Sequence, residues 1–328
     1  MPFYESLRTA LVRSAAFVHT AAPPATPAAL TEAENRLGRP LPADYADFLR
    51  SFDGVALFHE AQVLHPIAAV QPVGPEERFL HVGDTADGAL WLDAAGRLRL
   101  VDAAAPDPIV CGSQIERWLE ATLQREAMVL DREGEFRDVF DEDGEALRPE
   151  VRRKRAQAGA KRDPDAALYL LEQAELLCED ADLDGARVLL QKAVALDAEA
   201  GPAWELLGAL LQKLGQRPAA EHAALQAAAA TWDPFLRASR LLDAAQLSAD
   251  HAAQHAAAAA AADPEHGQRL CEQAQELLAQ GGRHYDEAQR LAERLQLLLS
   301  HDPAIASTRD QLLQIQRELR TRGALRVL

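Results

Sequence analysis

Asp180, Asp182 and Asp184, followed by Gly185, reproduce the opening of a calcium-binding loop, where alternate carboxylates converge on one cation. The twelfth position of that loop is Gln191 in place of the bidentate carboxylate that closes a calcium shell, so an ordinary acidic turn is expected. His251 and His255 are four apart and would share one helical face, a spacing that suits zinc. No glutamate stands between them in the metalloprotease order and no third ligand is evident, so they read as exposed polar residues. Cys111, Cys178 and Cys271 are widely spaced and contain no C-x-x-C pair, which excludes a disulfide framework and a zinc ribbon and points to a reducing compartment. Phosphate loops, dinucleotide fingerprints and serine elbows are absent from the sequence. Carboxylates abound, yet abundance does not identify a buried acid–base pair. The expectation is a protein without catalytic residues, metal centre or cofactor, and therefore not an enzyme.

The elements that would carry any site come next. The 328 residues bear a formal net charge of −17. That balance opposes the phosphate neutralisation on which general nucleic-acid binding depends and docking on an anionic membrane. A basic partner, or solubility alone, suits it. No run reaches the roughly 18–20 apolar residues that span a bilayer. Residues 1–19 carry Glu5, Arg8 and Arg13 within their apolar pattern, unlike a signal peptide. The chain is expected to be cytoplasmic, with a protein partner and neither membrane nor nucleic acid. Twelve of the 17 aromatic residues precede position 150, and the remainder is rich in Ala and Leu. A core of large side chains should therefore be followed by helices packed through small ones.

In the first half, Phe3, Leu7, Leu11 and Val18 predict a helix over 3–18. After the prolines of 21–27, Thr31 and Glu34 have capping-box spacing and predict a helix start, with Gly38 as its stop. Pro42 suits a first turn, and Tyr45, Phe48, Leu49 and Phe52 form one stripe of a second helix that Asp53-Gly54 ends. The period then shortens. Residues 79–82, 89–92, 98–101 and 108–111 are strand-like runs between Gly and Asp turns. Ser113 and Glu116 make a second capping box before a helix burying Ile115, Trp118, Leu119 and Leu123. Turns at 131–134 and 141–144 predict one or two added hairpins. Strands joined by short turns imply an α+β domain, an antiparallel sheet with helices on one side.

Glu34, Leu37, Gly38, Leu41, Pro42, Asp44, Tyr45, Phe48, Leu49, Asp53 and Gly54 together resemble the E-x-x-L-G-x-x-L-P-x-D-Y-x-x-F-L…D/N-G signature of the SUKH (Smi–Knr) superfamily. The later order is similar too: a strand ending in Gly83-Asp84, two more strands, then a helix bearing Trp118-Leu119. The resemblance covers roughly residues 3–125 and implies a non-enzymatic module. Many bacterial members of that family are immunity proteins that silence a polymorphic toxin, and a fungal relative scaffolds cell-wall signalling. The motif itself is expected to be structural, with Leu37, Leu41, Tyr45, Phe48 and Leu49 in the core and Gly38 and Gly54 stopping helices.

Residues 148–163 form a basic linker or connecting helix between a domain at 1–147 and an arm at 164–328. Over 148–162, Arg148, Arg152, Arg153, Lys154, Arg155, Lys161 and Arg162 stand against Glu150 alone; lacking interleaved aromatics, they read as a solvated segment or as partners for the acidic remainder. Beyond it, Asp163-Pro164, Asp233-Pro234, Asp263-Pro264 and Asp302-Pro303 each place an expected N-cap acid before a proline, with Gly201-Pro202 as a variant. Two stretches align at an offset of 34, Ala186, Leu190 and Ala193 falling where Ala220, Ala224 and Ala227 recur. With Trp204, Leu207, Gly208 and Leu211 in the second unit, this resembles the tetratricopeptide repeat, in which small residues let paired helices approach. The match is good over 167–232; hairpins at 234–262 and 264–300 and a last helix near 304–320 are expected after it. Glu205, Ala209, Gln212 and Lys213 are expected on a concave, partner-facing side. The leading functional expectation is an immunity protein that occludes a toxin; the rival is a scaffold or regulatory adaptor with no toxin partner.

Overall fold

A computed structural model describes residues 4–15, 18–102, 107–144, 146–233 and, except for 242, 245 and 249, 236–250, with 283, 286 and 290 as single positions. The chain divides into two compact units, Met1–Asp197 and Ala198–Leu328.

The first unit opens with α1 (Glu5–Arg13), β1 (His19–Ala21), α2 (Pro27–Leu37) and α3 (Ala43–Ser51). Seven strands follow: β2 (Val55–Leu57), β3 (Gln62–Leu64), β4 (Gln71–Val73), β5 (Phe79–Thr85), β6 (Gly88–Leu92), β7 (Leu98–Asp102) and β8 (Ile109–Gly112). Then come α4 (Ile115–Glu126), α5 (Pro149–Arg162), α6 (Ala167–Glu179) and α7 (Leu183–Leu196). The sheet is antiparallel in the order β1-β2-β3-β5-β6-β7-β8; β4 pairs with the first half of β5 and β3 with the second. Its core joins Leu7 of α1, Leu30 of α2, Tyr45, Phe48 and Leu49 of α3, and Ile115, Trp118 and Leu119 of α4 to strand residues such as Leu57, Val82, Leu90 and Leu98. The expected antiparallel sheet with helices is therefore the observed fold, and the four longer strand-like runs are β5 to β8.

Several local expectations give way to stronger neighbours. The first helix ends at Arg13 instead of reaching 18, because the chain turns there to place β1 at the sheet's edge and Val18 in the core. Helix α2 starts before Thr31: Thr26 caps it by accepting from the Ala29 N–H at 3.2 Å, and Pro27 supplies the preset first turn. Thr31 then donates to the Pro27 carbonyl, and Glu34 accepts from the Leu41 N–H at 3.0 Å, bridging to the next helix instead of closing a box. The second box fails likewise. Ser113 turns to Asp163, Glu116 accepts from the Tyr4 N–H at 2.8 Å, and the start of α4 is held by Asp44, which accepts from the Ile115 N–H at 2.7 Å. Gly38 is the left-handed stop of α2 at φ 66°, but Gly54 lies beyond the cap of α3. At φ 98°, with a Cβ placed only 2.9 Å from the Leu64 carbonyl oxygen, Gly54 instead permits close backbone passage. Both small turns after α4 form bridges, Leu130 with Phe136 and Phe140 with Leu147.

The basic segment forms helix α5, and its charges are used internally: Arg152 pairs with Glu179 at 2.8 Å, Arg153 with Asp180 at 2.6 Å and Arg155 with Glu126 at 2.5 Å. The first compact unit accordingly runs past the expected limit at 147, through α5 and the hairpin α6–α7. Two buried aspartates seal that hairpin to the sheet. Asp163, expected as an N-cap, instead accepts from Ser113 N–H at 2.6 Å and Ser113 O–H at 2.7 Å, while α6 begins at Ala167 with no side-chain cap. Asp197, just after α7, receives Arg99 of β7 through both guanidinium nitrogens at 3.1 and 3.2 Å, and the Val110 N–H of β8 at 3.0 Å.

The second unit contains α8 (Gly201–Lys213), α9 (Arg217–Ala230) and helical residues among 236–250. From Ala167 to Gly201 and from Leu183 to Arg217, the helix starts repeat at 34 residues. Ala186, Ala193, Ala220 and Ala227 are all buried, as the repeat requires, as are Leu207 and Gly208. Asp233 does act as the expected cap, accepting from the Leu236 N–H at 3.0 Å. Apart from positions 283, 286 and 290, the hairpin expected at 264–300 lies outside the described residues, as do the last helix near 304–320, most of the hairpin at 234–262, and His251, His255, Asp263 and Asp302. Among the described residues, no helix is long and apolar enough to cross a membrane.

Candidate partner-binding surfaces

In the second unit, α8, α9 and the helical segment after them enclose a cavity of about 240 Å³. Its floor is apolar and small, from Gly208, Ala220, Ala224 and Ala227, with Leu247 at one side. Glu205, Ala209 and Gln212 line it from α8, each exposed and one turn apart, so the three residues expected on the concave side share one hollow. Lys213, also exposed, is not among its lining residues. Opposite them stand Arg240, Asp243 and Gln246. Arg240 is anchored: one guanidinium nitrogen donates to the Ala227 carbonyl at 3.0 Å and the other to Glu205 at 2.6 Å. Such a hollow offers amide and charged groups around a methyl-lined floor, the chemistry of an extended peptide's backbone and small side chains. Trp204, expected in packing, is partly buried, donates to the Ala198 carbonyl at 3.0 Å and meets the His222 ring edge-on.

The first unit holds a second cavity of about 240 Å³, bounded by the sheet, α4 and the helices α5 and α6. Arg125 lies over the Tyr169 ring at 4.7 Å and pairs with Glu172 at 2.7 Å within it. Cys111 also lines it, but burial pushes this thiol up to about 12, so it stays protonated and is a poor nucleophile. The acidic turn at 180–185 is likewise spent locally: Asp182 caps α7 by accepting from the Gly185 N–H at 3.0 Å, and Asp180 holds Arg153.

The eleven motif residues do not converge on a reactive centre. Tyr45, Phe48 and Leu49 are fully buried, Leu37 and Leu41 nearly so. Pro42 precedes α3, and Asp53 accepts from the Ile67 N–H at 2.7 Å, tying the turn after β3 to the end of α3. No signal in the sequence announces that His65, His81 and Asp84 meet, with their nitrogen and oxygen donor atoms within 4.8 Å of one another. His81 and Asp84 are three apart in β5, a spacing that on a regular strand puts them on opposite faces, and His65 is sixteen residues before His81, so the path of β5 is what unites them.

Residues 24–96 match the SMI1 / KNR4 family (SUKH-1). No curated protein matches the chain. Solved structures resemble it at low identity. MamA is 16% identical with a TM-score of 0.28, the likeness covering 53% of this chain and 88% of that one. PilF of Pseudomonas aeruginosa is 17% identical with a TM-score of 0.28, over 62% of this chain and 73% of that one. YrrB, a TPR protein with an unusual peptide-binding site, is 17% identical with a TM-score of 0.25, over 50% and 90%. The helical hairpins of this chain are defined by their own 34-residue step, not by these likenesses.

Proposed function

Taking the SUKH-1 match over residues 24–96 as the premise, we propose that this chain is a non-enzymatic protein-binding protein, and more narrowly a cytoplasmic immunity protein that neutralises a toxin by covering it. The observation that carries the reading is the match itself, together with the use its signature is put to. Glu34, Asp44 and Asp53 each hold a backbone N–H elsewhere in the first unit, so the shared residues build a platform and leave the outer surface to recognise a partner. A net charge of −17 suits a basic toxin such as a nuclease, since complementary charge speeds encounter and rejects acidic competitors. Glu205, Ala209, Gln212 and Lys213 would add contacts from the arm.

Co-expression with the product of the adjacent gene tests it. The expected results are rescue of growth and co-purification as a complex; no rescue and no binding would sink the immunity reading. A second reading, an adaptor with no toxin, is supported by the hollow of the second unit, whose small apolar floor and polar walls would suit a peptide segment. It predicts capture of a peptide-bearing client by wild-type protein and its loss in Glu205→Arg, with no toxin encoded nearby.

A further inference from the structure

The cluster missed by the sequence reading has an uncommon origin. On a regular strand, residues three apart point to opposite faces, so His81 and Asp84 of β5 should be separated by the sheet. Against β6 the register runs His81 with Trp91 and then Gly83 with Leu90, which leaves Val82 as an extra residue. That bulge restores the parity and turns both side chains to the same side. Gly83 is required next to it, since a Cβ there would stand 2.0 Å from the Val63 carbonyl oxygen. His65, one residue past β3, is fixed alongside by its own N–H bond to the Val82 carbonyl at 2.8 Å. Three strand-held positions thus aim at one point. His65 Nε2 lies 2.8 Å from one oxygen of Asp84 and His81 Nε2 3.0 Å from the other, with the two rings edge-to-face at 5.2 Å.

We propose that His65, His81 and Asp84 form a binding site for a divalent first-row transition ion, zinc above all. Two imidazoles and a carboxylate are donors that zinc accepts, and its bonds of about 2.0–2.1 Å place tetrahedral donor atoms about 3.3 Å apart. The nitrogen–oxygen separations already present, 2.8 and 3.0 Å, each run to a different oxygen of Asp84, and the three donors together lie within 4.8 Å, so the carboxylate can meet the ion by a small turn and a modest widening. With the ion bound, each neutral imidazole would carry its hydrogen on Nδ1 and offer the Nε2 lone pair. The histidine side chains are about one-fifth exposed and that of Asp84 about half, so water can reach the fourth position. Bound there, the ion would cross-link the segment after β3 to β5 at the bulge. This site is independent of the toxin and adaptor readings.

The test uses the full chain, stripped with a chelator and titrated with zinc chloride by calorimetry, with cobalt(II) as a visible-absorption probe of the donor set. The expected result is one equivalent of tight binding, a raised Tm, and the absorption bands of four-coordinate cobalt. Asp84→Asn and His81→Gln, each checked for folding by circular dichroism, should weaken zinc by more than about tenfold. His65→Gln substitutes for either one that does not fold. The double variant His251→Gln/His255→Gln should bind as wild type. Failure of the wild type to take up one equivalent would overturn the proposal. So would undiminished binding in Asp84→Asn, or loss of binding in the 251/255 variant alone.

Discussion

The hairpins α6–α7 and α8–α9 have the same length, the same 34-residue step and the same buried alanines, yet their neighbours treat them differently. The first is sealed to a sheet by ionised side chains out of water: Asp197 and Arg99 are 1% and 3% exposed at their side chains. In the second, the comparable charged contact is open on one side, with Glu205 61% exposed against a buried Arg240. Repeat packing is therefore a common frame, and the residues at its ends decide whether a hairpin becomes part of another domain. A buried pair gains little over an apolar substitute, but leaving one partner alone is costly. That asymmetry makes the seal sensitive to single changes.

The largest effect should come from Asp197→Ala, which takes from Arg99 its two-point carboxylate partner, leaving Asp93 at 3.5 Å, and from the Val110 N–H its acceptor. We expect a loss of about 3–5 kcal/mol from the first unit, read by hydrogen exchange in α7 and β7, with α9 unaffected. A loss below about 1 kcal/mol would mean that apolar contact, not the seal, holds the hairpin. Next come two helical glycines with opposite expectations. A Cβ on Gly159 of α5 would stand 2.6 Å from the Tyr169 ring, so Gly159→Ala should cost about 1–3 kcal/mol. A Cβ on Gly208 of α8 would meet Ala223 at 3.5 Å, ordinary contact, so Gly208→Ala should stabilise by about 0.5–1 kcal/mol. Equal signs in thermal unfolding would erase this distinction between the units. Arg152→Ala removes a half-exposed pair with Glu179 and should change stability by less than about 1 kcal/mol. A larger loss would place surface charge, and not the buried seal, at the centre of the first unit's stability.

The first unit should also be the acid-sensitive one at the β1 edge. Burial, with His59 nearby, holds the His19 pKa below its usual 6.5, and its Nδ1 accepts from the Phe58 N–H at 3.3 Å. The unfolded chain then takes up this proton first, so stability falls as pH drops below about 6.5. His19→Gln should flatten that part of a pH–stability curve, and an unchanged slope would acquit His19.

Much of this architecture was legible because it repeats or alternates. The step of 34 residues, the stripe from Tyr45 to Phe52 and the four longer strands are periodic signals, and each corresponds to an element. Strands β1 to β4 have three residues apiece, too few for alternation to register. Capping misled for a different reason. Thr31, Glu34, Ser113, Glu116 and Asp163 have the right spacing for local bonds, but distant backbone or side-chain groups reach most of them first, and Thr26-Pro27 had already started α2. A local rule assumes that no better partner arrives through folding. The His65, His81 and Asp84 cluster was invisible for the same reason, since its geometry depends on one unpaired residue in β5.

The pairing of Arg99 with Asp197 also bears on how chains of this build can be inherited. A crossover at the basic segment would hand the sheet to a new arm while taking from the buried Arg99 the carboxylate that meets both its terminal nitrogens. The tolerant seam lies between Asp197 and Ala198, where one compact unit gives way to the next. Repeats exchanged beyond that seam would leave the pair intact, so partner choice in the arm could diversify while the sheet and its first hairpin descend together.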